Sequence, residues 1–172
     1  MNDVTPGTFL YFAYGSNMFT RRLTARTPSA TASGTGFVEG HRLTFDKVSD
    51  DGSGKCDIEA TTNRDDRVYG VIFRIATAQE PELDRFEALG RGYRKDRVQV
   101  LTPHGPKNAT TYIATNKEAG RLPYHWYKAF VIAGAVEHGL PNAYIERLRT
   151  VGSQPDSDAN RRARNEAVLS GS

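Results

Sequence analysis

The chain has 172 residues, 38% of them hydrophobic and 25% charged, which suits one domain built round a hydrophobic core. Its net charge of +3 is carried by scattered basic residues with no basic stripe interleaved with aromatics, so a nucleic-acid partner is not expected. No apolar run nears the roughly 20 residues that span a bilayer, the start Met1-Asn2-Asp3-Val4-Thr5-Pro6 has no signal-peptide character, and the single Cys56 excludes an internal disulfide framework, so a cytoplasmic protein without membrane attachment is expected.

In chain order, Phe9-Leu10-Tyr11-Phe12-Ala13-Tyr14-Gly15-Ser16-Asn17-Met18 is the densest aromatic and apolar run. It reads as a buried strand that stops at a Gly-Ser-Asn turn. Gly15 permits backbone angles that other residues resist, and Ser16 and Asn17 turn the chain through side-chain hydrogen bonds. Successive N–H groups in such a turn can hold an anion, and Tyr11 and Tyr14 offer hydroxyls beside it. The run is therefore a candidate ligand site.

Met18 to Ala25 has helical character and carries Arg21 and Arg22, and Thr27-Pro28-Ser29-Ala30 breaks it. Thr31 to Thr44 is extended, with Phe37, Val38, Leu43 and Phe45 as its buried positions. Gly34-Thr35-Gly36 is not a dinucleotide fingerprint, because the third glycine would fall at Glu39. Asp50 to Gly54 reads as a mobile glycine-rich loop. Cys56 to Thr62 and Val68 to Ile75 read as strands separated by an Asn63-Arg64-Asp65-Asp66 turn, the second apolar on both faces and so central. Thr77 is placed as the N-cap of a helix that runs to about Ala88, with Pro81 in its first turn.

Tyr93 to Leu101 and Ala109 to Thr115 read as paired strands joined at Pro103-His104-Gly105-Pro106. Tyr124 to Gly139 carries Trp126, Phe130, Ala133 and Val136 near helical spacing, with Gly139 as its C-terminal cap. Asn142 to Val151 is a shorter helix. Residues 1–151 thus form the domain. Residues 152–172 form a polar C-terminal tail, a Pro155-interrupted linker followed by a frayed helix with few core contacts. Strands dominate the first two thirds and helices gather late, which indicates an α+β domain with a mainly antiparallel sheet. His41, His104, His125 and His138 form no ligand pair, so no metal is expected.

The second informative segment is Leu83-Asp84-Arg85-Phe86-Glu87-Ala88-Leu89-Gly90-Arg91-Gly92-Tyr93. Asp84 and Glu87 share a helix face. With Leu83, Phe86 and Leu89 nearby, Glu87 can point into apolar surroundings, where desolvation raises a carboxyl pKa towards that of a general base near neutrality.

Tyr-Phe-Ala-Tyr-Gly-Ser-Asn, the acid of Leu-Asp-x-x-Glu and the following Gly-Tyr together resemble the γ-glutamylcyclotransferase family, of AIG2-like fold. Arg26-Thr27-Pro28-Ser29-Ala30, Tyr69-Gly70-Val71, Tyr112-Ile113-Ala114-Thr115-Asn116 and Gly139-Leu140-Pro141 continue the resemblance, which covers roughly residues 8 to 150. It implies a mixed, mainly antiparallel β-barrel with flanking helices. The implied activity is cyclisation of small-molecule γ-glutamyl compounds, γ-glutamyl amino acids foremost, to 5-oxoproline without metal or cofactor. It also implies that Tyr11, Phe12, Ala13, Tyr14, Gly15, Ser16 and Asn17 hold the γ-glutamyl group. Glu87 is then the catalytic acid/base, and Tyr93, Tyr112 and Tyr127 line the pocket. Family members often carry Gly directly after the acidic residue, where this chain has Ala88.

Three other readings stand beside this one. The leaving group is variable: a γ-glutamyl amine, a γ-glutamyl-lysine crosslink or a carrier-bound intermediate fits the same motifs. The variable segments Asp46–Gly54 and Lys117–Tyr124 are the two candidates for the outer wall that binds it. A Ser16 amide hydrolase needs a base that the four histidines do not visibly supply. A non-catalytic binder of the same fold has no need of a buried Glu87. The Arg161–Arg164 cluster offers a surface for a homodimer or for an acidic partner, with nothing in the sequence to choose between them.

Overall fold

The structure, a computed structural model, describes residues 5–172; Met1 to Val4, at the start read above for a leader, lie outside the described residues. Seven strands form among the described residues: β1 (Thr8–Ala13), β2 (Thr31–Glu39), β3 (His41–Val48), β4 (Gly54–Ala60), β5 (Arg67–Ala76), β6 (Tyr93–Thr102) and β7 (Gly105–Ala114). Five of them close into a barrel in the order β1-β5-β2-β6-β7, while β3 and β4 pair as a separate two-stranded sheet. The neighbours in that order are antiparallel, and a parallel pairing of β7 with β1, Tyr11 opposite Thr110, closes the ring. The architecture is the mixed, mainly antiparallel barrel with flanking helices expected above.

β5 is the central strand that its apolar run predicts. It pairs with β1 on one side and β2 on the other, and Val68, Val71, Ile72, Phe73 and Ile75 are buried. A large side chain as fully enclosed as Phe73, Phe12 or Phe130 contributes about 1.5–3 kcal/mol of burial free energy.

The extended stretch from Thr31 is in fact two strands. Gly40 has φ of +65° and breaks them, sending β2 to the barrel and β3 to the small sheet. The strands on either side of Asn63–Asp66 likewise belong to different sheets, because β4 pairs with β3 rather than with β5. Asp50 to Gly54 is pinned rather than mobile. Asp51 accepts hydrogen bonds from the Ser53 backbone and hydroxyl and from Lys55, Arg121 donates to the Gly52 carbonyl, and Gly54 N–H donates to Leu122.

The helices are α1 (Thr20–Arg26), α2 (Glu80–Phe86), α3 (His125–Glu137), α4 (Asn142–Thr150) and α5 (Ala159–Ser170). A 3-10 turn over Thr77–Gln79 precedes α2, so Thr77 begins that turn and does not cap the helix through its side chain. α3 buries Trp126, Tyr127, Phe130, Val131, Gly134 and Ala135, whereas Val136, expected inside, is 52% exposed. Its inward stripe runs through Gly134, whose missing side chain lets the helix lie against Met18 and Phe19. Gly139, at φ of +65°, follows α3 as the cap expected there.

The C-terminal segment makes more contacts than its polarity suggests. Asp156 is buried and accepts from the Trp126 indole N–H and from Arg161, while Asp158 caps α5 by accepting from the Arg161 N–H. Arg21 and Arg22 of α1 donate to Val168 and Asn165 of α5, and Val168 and Leu169 pack on the core. Charge pairing and capping, which hydropathy does not register, dock this segment. No described helix is long and apolar enough to cross a membrane.

Candidate active site

β1 delivers Tyr11 and Tyr14 to one end of the barrel, and the chain then makes a 3-10 turn over Ser16–Met18. Gly15 there has φ of −115°, so a left-handed conformation is not the reason for a glycine. Space is the reason: a Cβ would stand 3.1 Å from Cys56 Cβ and 3.2 Å from the Tyr127 hydroxyl. The glycine lets β4 and α3 close on the turn.

Glu87 arrives from the other side. Leu83 is fully buried and anchors α2, which ends at Phe86, and Glu87 occupies the C-cap position. Its side chain is only 15% exposed and accepts a hydrogen bond from Asn17 Nδ2 at 2.6 Å. Asn17 also donates to the Tyr11 hydroxyl at 3.2 Å and accepts from Arg26, whose guanidinium lies 4.0 Å from the Glu87 carboxylate. Burial pushes the Glu87 carboxyl above the usual carboxylate range, against Arg26, Arg22, Lys47 and the Asn17 bond, which all favour ionisation. Ala88 sits in the left-handed region at φ of +49°, at the position where the resembling family often has glycine.

Tyr11, Tyr14, Gly15, Ser16, Asn17, Cys56, Glu87, Tyr93, Tyr112 and Tyr127 line one cavity. The structure thus brings together all the candidate residues except Phe12 and Ala13. The Phe12 ring packs over Gly70 instead, and Ala13 is buried in the strand. Each tyrosine is anchored. Tyr14 donates to the Tyr112 carbonyl, Tyr93 to the Cys56 carbonyl at 2.6 Å, and Tyr112 to Asp84 at 2.5 Å; Tyr127 accepts from the Cys56 N–H at 3.0 Å. Asp84 is therefore a tyrosine anchor, held in turn by Lys95.

Burial raises the pKa of Tyr11, Tyr14, Tyr93 and Tyr127, so they are protonated donors at neutral pH. It also pushes the Cys56 thiol up to about 12, so no thiolate nucleophile is available there. Ser16 Oγ accepts from Arg22, and no described histidine lines the cavity. The described histidines with hydrogen bonds, His41, His125 and His138, bond Glu39, Ser153 and Thr20 respectively. No cluster of His, Cys, Asp or Glu that could hold a metal forms among the described residues.

An outer vestibule, about 180 Å³, opens over this cavity between Arg22, Arg26, Lys47, Lys55, Phe86 and Glu87. Of the two variable segments, Asp46–Gly54 supplies its wall, while Lys117–Tyr124 braces that wall from behind through Glu118 N–H to Asp46 and Gly54 N–H to Leu122. Sequence reasoning missed the vestibule cations and Cys56. The four-residue spacing of Arg22 and Arg26, which puts both on one face of α1, was the signal available for that pair. Three larger hollows, about 390, 380 and 380 Å³, lie beside α4, at the rim near His104 and between Gly52 and Gln154, and none holds a buried carboxylate.

The chain is similar to known proteins along most of its length. Residues 67–148 match the AIG2-like family. The γ-glutamylcyclotransferase of Mus musculus is 33% identical over 149 residues, spanning 84% of this chain and 79% of the mouse protein, and that of Homo sapiens is 32% identical over the same shares. A solved structure named γ-glutamyl cyclotransferase superposes with a TM-score of 0.85 at 29% identity, covering 96% of this chain and 99% of its own. With four fifths of a curated relative matched at this identity and the barrel shared throughout, the chain belongs to the γ-glutamylcyclotransferase family.

Proposed function

We propose that this chain is a cyclotransferase that converts γ-glutamyl amino acids to 5-oxoproline and the free amino acid. The observation that carries the reading is Glu87, a carboxylate enclosed in a tyrosine-lined cavity and oriented by the Asn17 of the Gly-Ser-Asn turn. The α-amine of the substrate attacks its own γ-carbonyl carbon and closes a five-membered lactam. Glu87 takes the proton that the amine loses as the new C–N bond forms. The carbonyl oxygen becomes an oxyanion, which donors of the cavity stabilise. Tyr11 accepts from Asn17 and so keeps its own proton to offer. Collapse of the intermediate breaks the bond to the leaving nitrogen, and Glu87 returns the proton to it. Tyrosines held by their own hydrogen bonds keep the substrate folded in the cyclising conformer, which supplies rate by proximity.

That no histidine lies beside Ser16 among the described residues, together with the protonated Cys56, supports attack by the substrate's own amine over attack by a protein nucleophile. The test is product analysis with γ-glutamyl-alanine and its N-acetyl derivative. Mass spectrometry should find 5-oxoproline and alanine from the first and no reaction of the second, whose nitrogen lone pair is delocalised into the acetyl carbonyl and is no longer nucleophilic enough for ring closure. Glutamate as the first product, or cleavage of the N-acetyl compound, overturns the reading.

A further inference from the structure

Lys47 on β3 is 7% exposed; among the described residues its ammonium makes no hydrogen bond or ion pair, keeps an opening to the vestibule, and feels Glu87, Asp50 and Asp51 only at longer range. It lies 4.7 Å above the Tyr93 ring and is pressed against Gly92, where a Cβ would stand 2.8 Å from its Cε and Nζ. It faces the vestibule beside Glu87 and Tyr93. Its neighbours on that wall are already engaged. Lys55 is paired with Asp51 at 2.8 Å, Arg22 is held by Ser16 and Asn165, and Arg26 bonds Asn17 beside Glu87. A lysine with an enclosed stem and an ammonium open to the vestibule is placed to receive an anion that enters there.

We propose that Lys47 determines the leaving-group specificity of the enzyme: its ammonium receives the carboxylate of the departing amino acid. The inference rests on the cyclotransferase reading above. To be protonated, the leaving nitrogen must come to Glu87. An α-carboxylate is one carbon removed from that nitrogen and so faces the wall that Glu87, Tyr93 and Lys47 share. A γ-glutamyl amine presents no carboxylate to Lys47 and forgoes that pairing, so the site favours γ-glutamyl amino acids over such substrates. Burial also lowers the Lys47 pKa, which an arriving carboxylate would reverse.

The experiment compares γ-glutamyl-alanine with γ-glutamyl-alaninamide, which differ only in the carboxylate, by the rate of 5-oxoproline release. A charge-assisted hydrogen bond predicts a ratio of kcat/KM of about tenfold or more in favour of the acid. In Lys47→Met the ratio should collapse towards one, and in Lys47→Arg most of it should survive. Equal rates on the two substrates in the wild-type enzyme overturn the proposal however the variants fold. So does a Lys47→Met enzyme that keeps the wild-type ratio, including one slowed equally on both substrates, which would make Lys47 only a steadying charge for Glu87. No 5-oxoproline from either substrate overturns the cyclotransferase reading itself, and the specificity proposal with it.

Discussion

Replacing Gly134 by alanine sets two opposing effects against each other at a single atom. Gly134 lies inside α3, where alanine favours the helix by about 1 kcal/mol. The added Cβ, however, would stand 2.5 Å from Met18 Cβ, 2.5 Å from the Phe19 backbone nitrogen and 2.6 Å from the Met18 carbonyl carbon. Two of these atoms are backbone and cannot turn aside, and Met18 is itself fully buried. Overpacking of a filled core costs about 1–3 kcal/mol, and a backbone obstacle places this case in the upper part of that range. The net expectation is a loss of about 1–2 kcal/mol, which lowers the melting temperature of a chain this size by about 2–8 °C. The displaced turn carries Asn17, so the effect also reaches Glu87 through their 2.6 Å hydrogen bond. Turnover assayed well below the melting temperature should therefore fall about tenfold or more, because small misplacements of a reacting group are expensive. Thermal melting followed by circular dichroism and a 5-oxoproline assay read the two effects. Melting at or above the wild-type temperature would mean that helix propensity dominates and that the contact between α3 and the turn is slack.

Glu87→Gln keeps the acceptor oxygen for Asn17 but cannot carry the proton, so turnover should fall by at least about 10²–10⁴-fold in the steady-state assay. Because burial raises the Glu87 pKa, wild-type kcat/KM should decline with falling pH at a higher pH than a surface glutamate would give. The same upward shift means that the ionised group costs stability above its folded pKa, and that this cost fades as pH falls to the unfolded value of about 4.3. Glu87→Gln should thus melt above wild type at pH 7, with the gap closing in acid; an unchanged melting profile with pH contradicts the burial argument. Ala88→Gly relieves a left-handed backbone and should raise stability by up to about 1 kcal/mol in denaturant titration, with a loss of stability counting against strain at that residue. Asp156→Ala strips the Trp126 indole N–H of its buried acceptor, a loss of about 1–3 kcal/mol, and should loosen α5 to early hydrogen exchange; an unchanged melt would show that this segment is not docked through Asp156.

Much of the site was legible in the sequence because it rests on short-range chemistry. The aromatic run ending at Gly15-Ser16-Asn17, Pro81 in the first turn of a helix and Glu87 at its end are each fixed by neighbours a few residues away. Together with the resemblance they predicted the mixed barrel, and the structure gathers Glu87, the turn and all five named tyrosines in one cavity. What the tertiary structure decided depends on contacts across long stretches of chain. Only strand pairing could send β3 and β4 to a sheet of their own, because their alternation is satisfied equally well by either sheet. Gly15 is needed for the approach of Cys56 and Tyr127, residues 41 and 112 positions further along, rather than for its own backbone angles. The inward stripe of α3 is defined by where the turn meets Gly134, and the last helix docks through Asp156 and Arg161 rather than through apolar residues. Lys47 has no motif at all. A lysine in a polar stretch ordinarily lies in solvent, and only the folding of β3 against Gly92 and Tyr93 turns it into a buried charge at the mouth of the cavity.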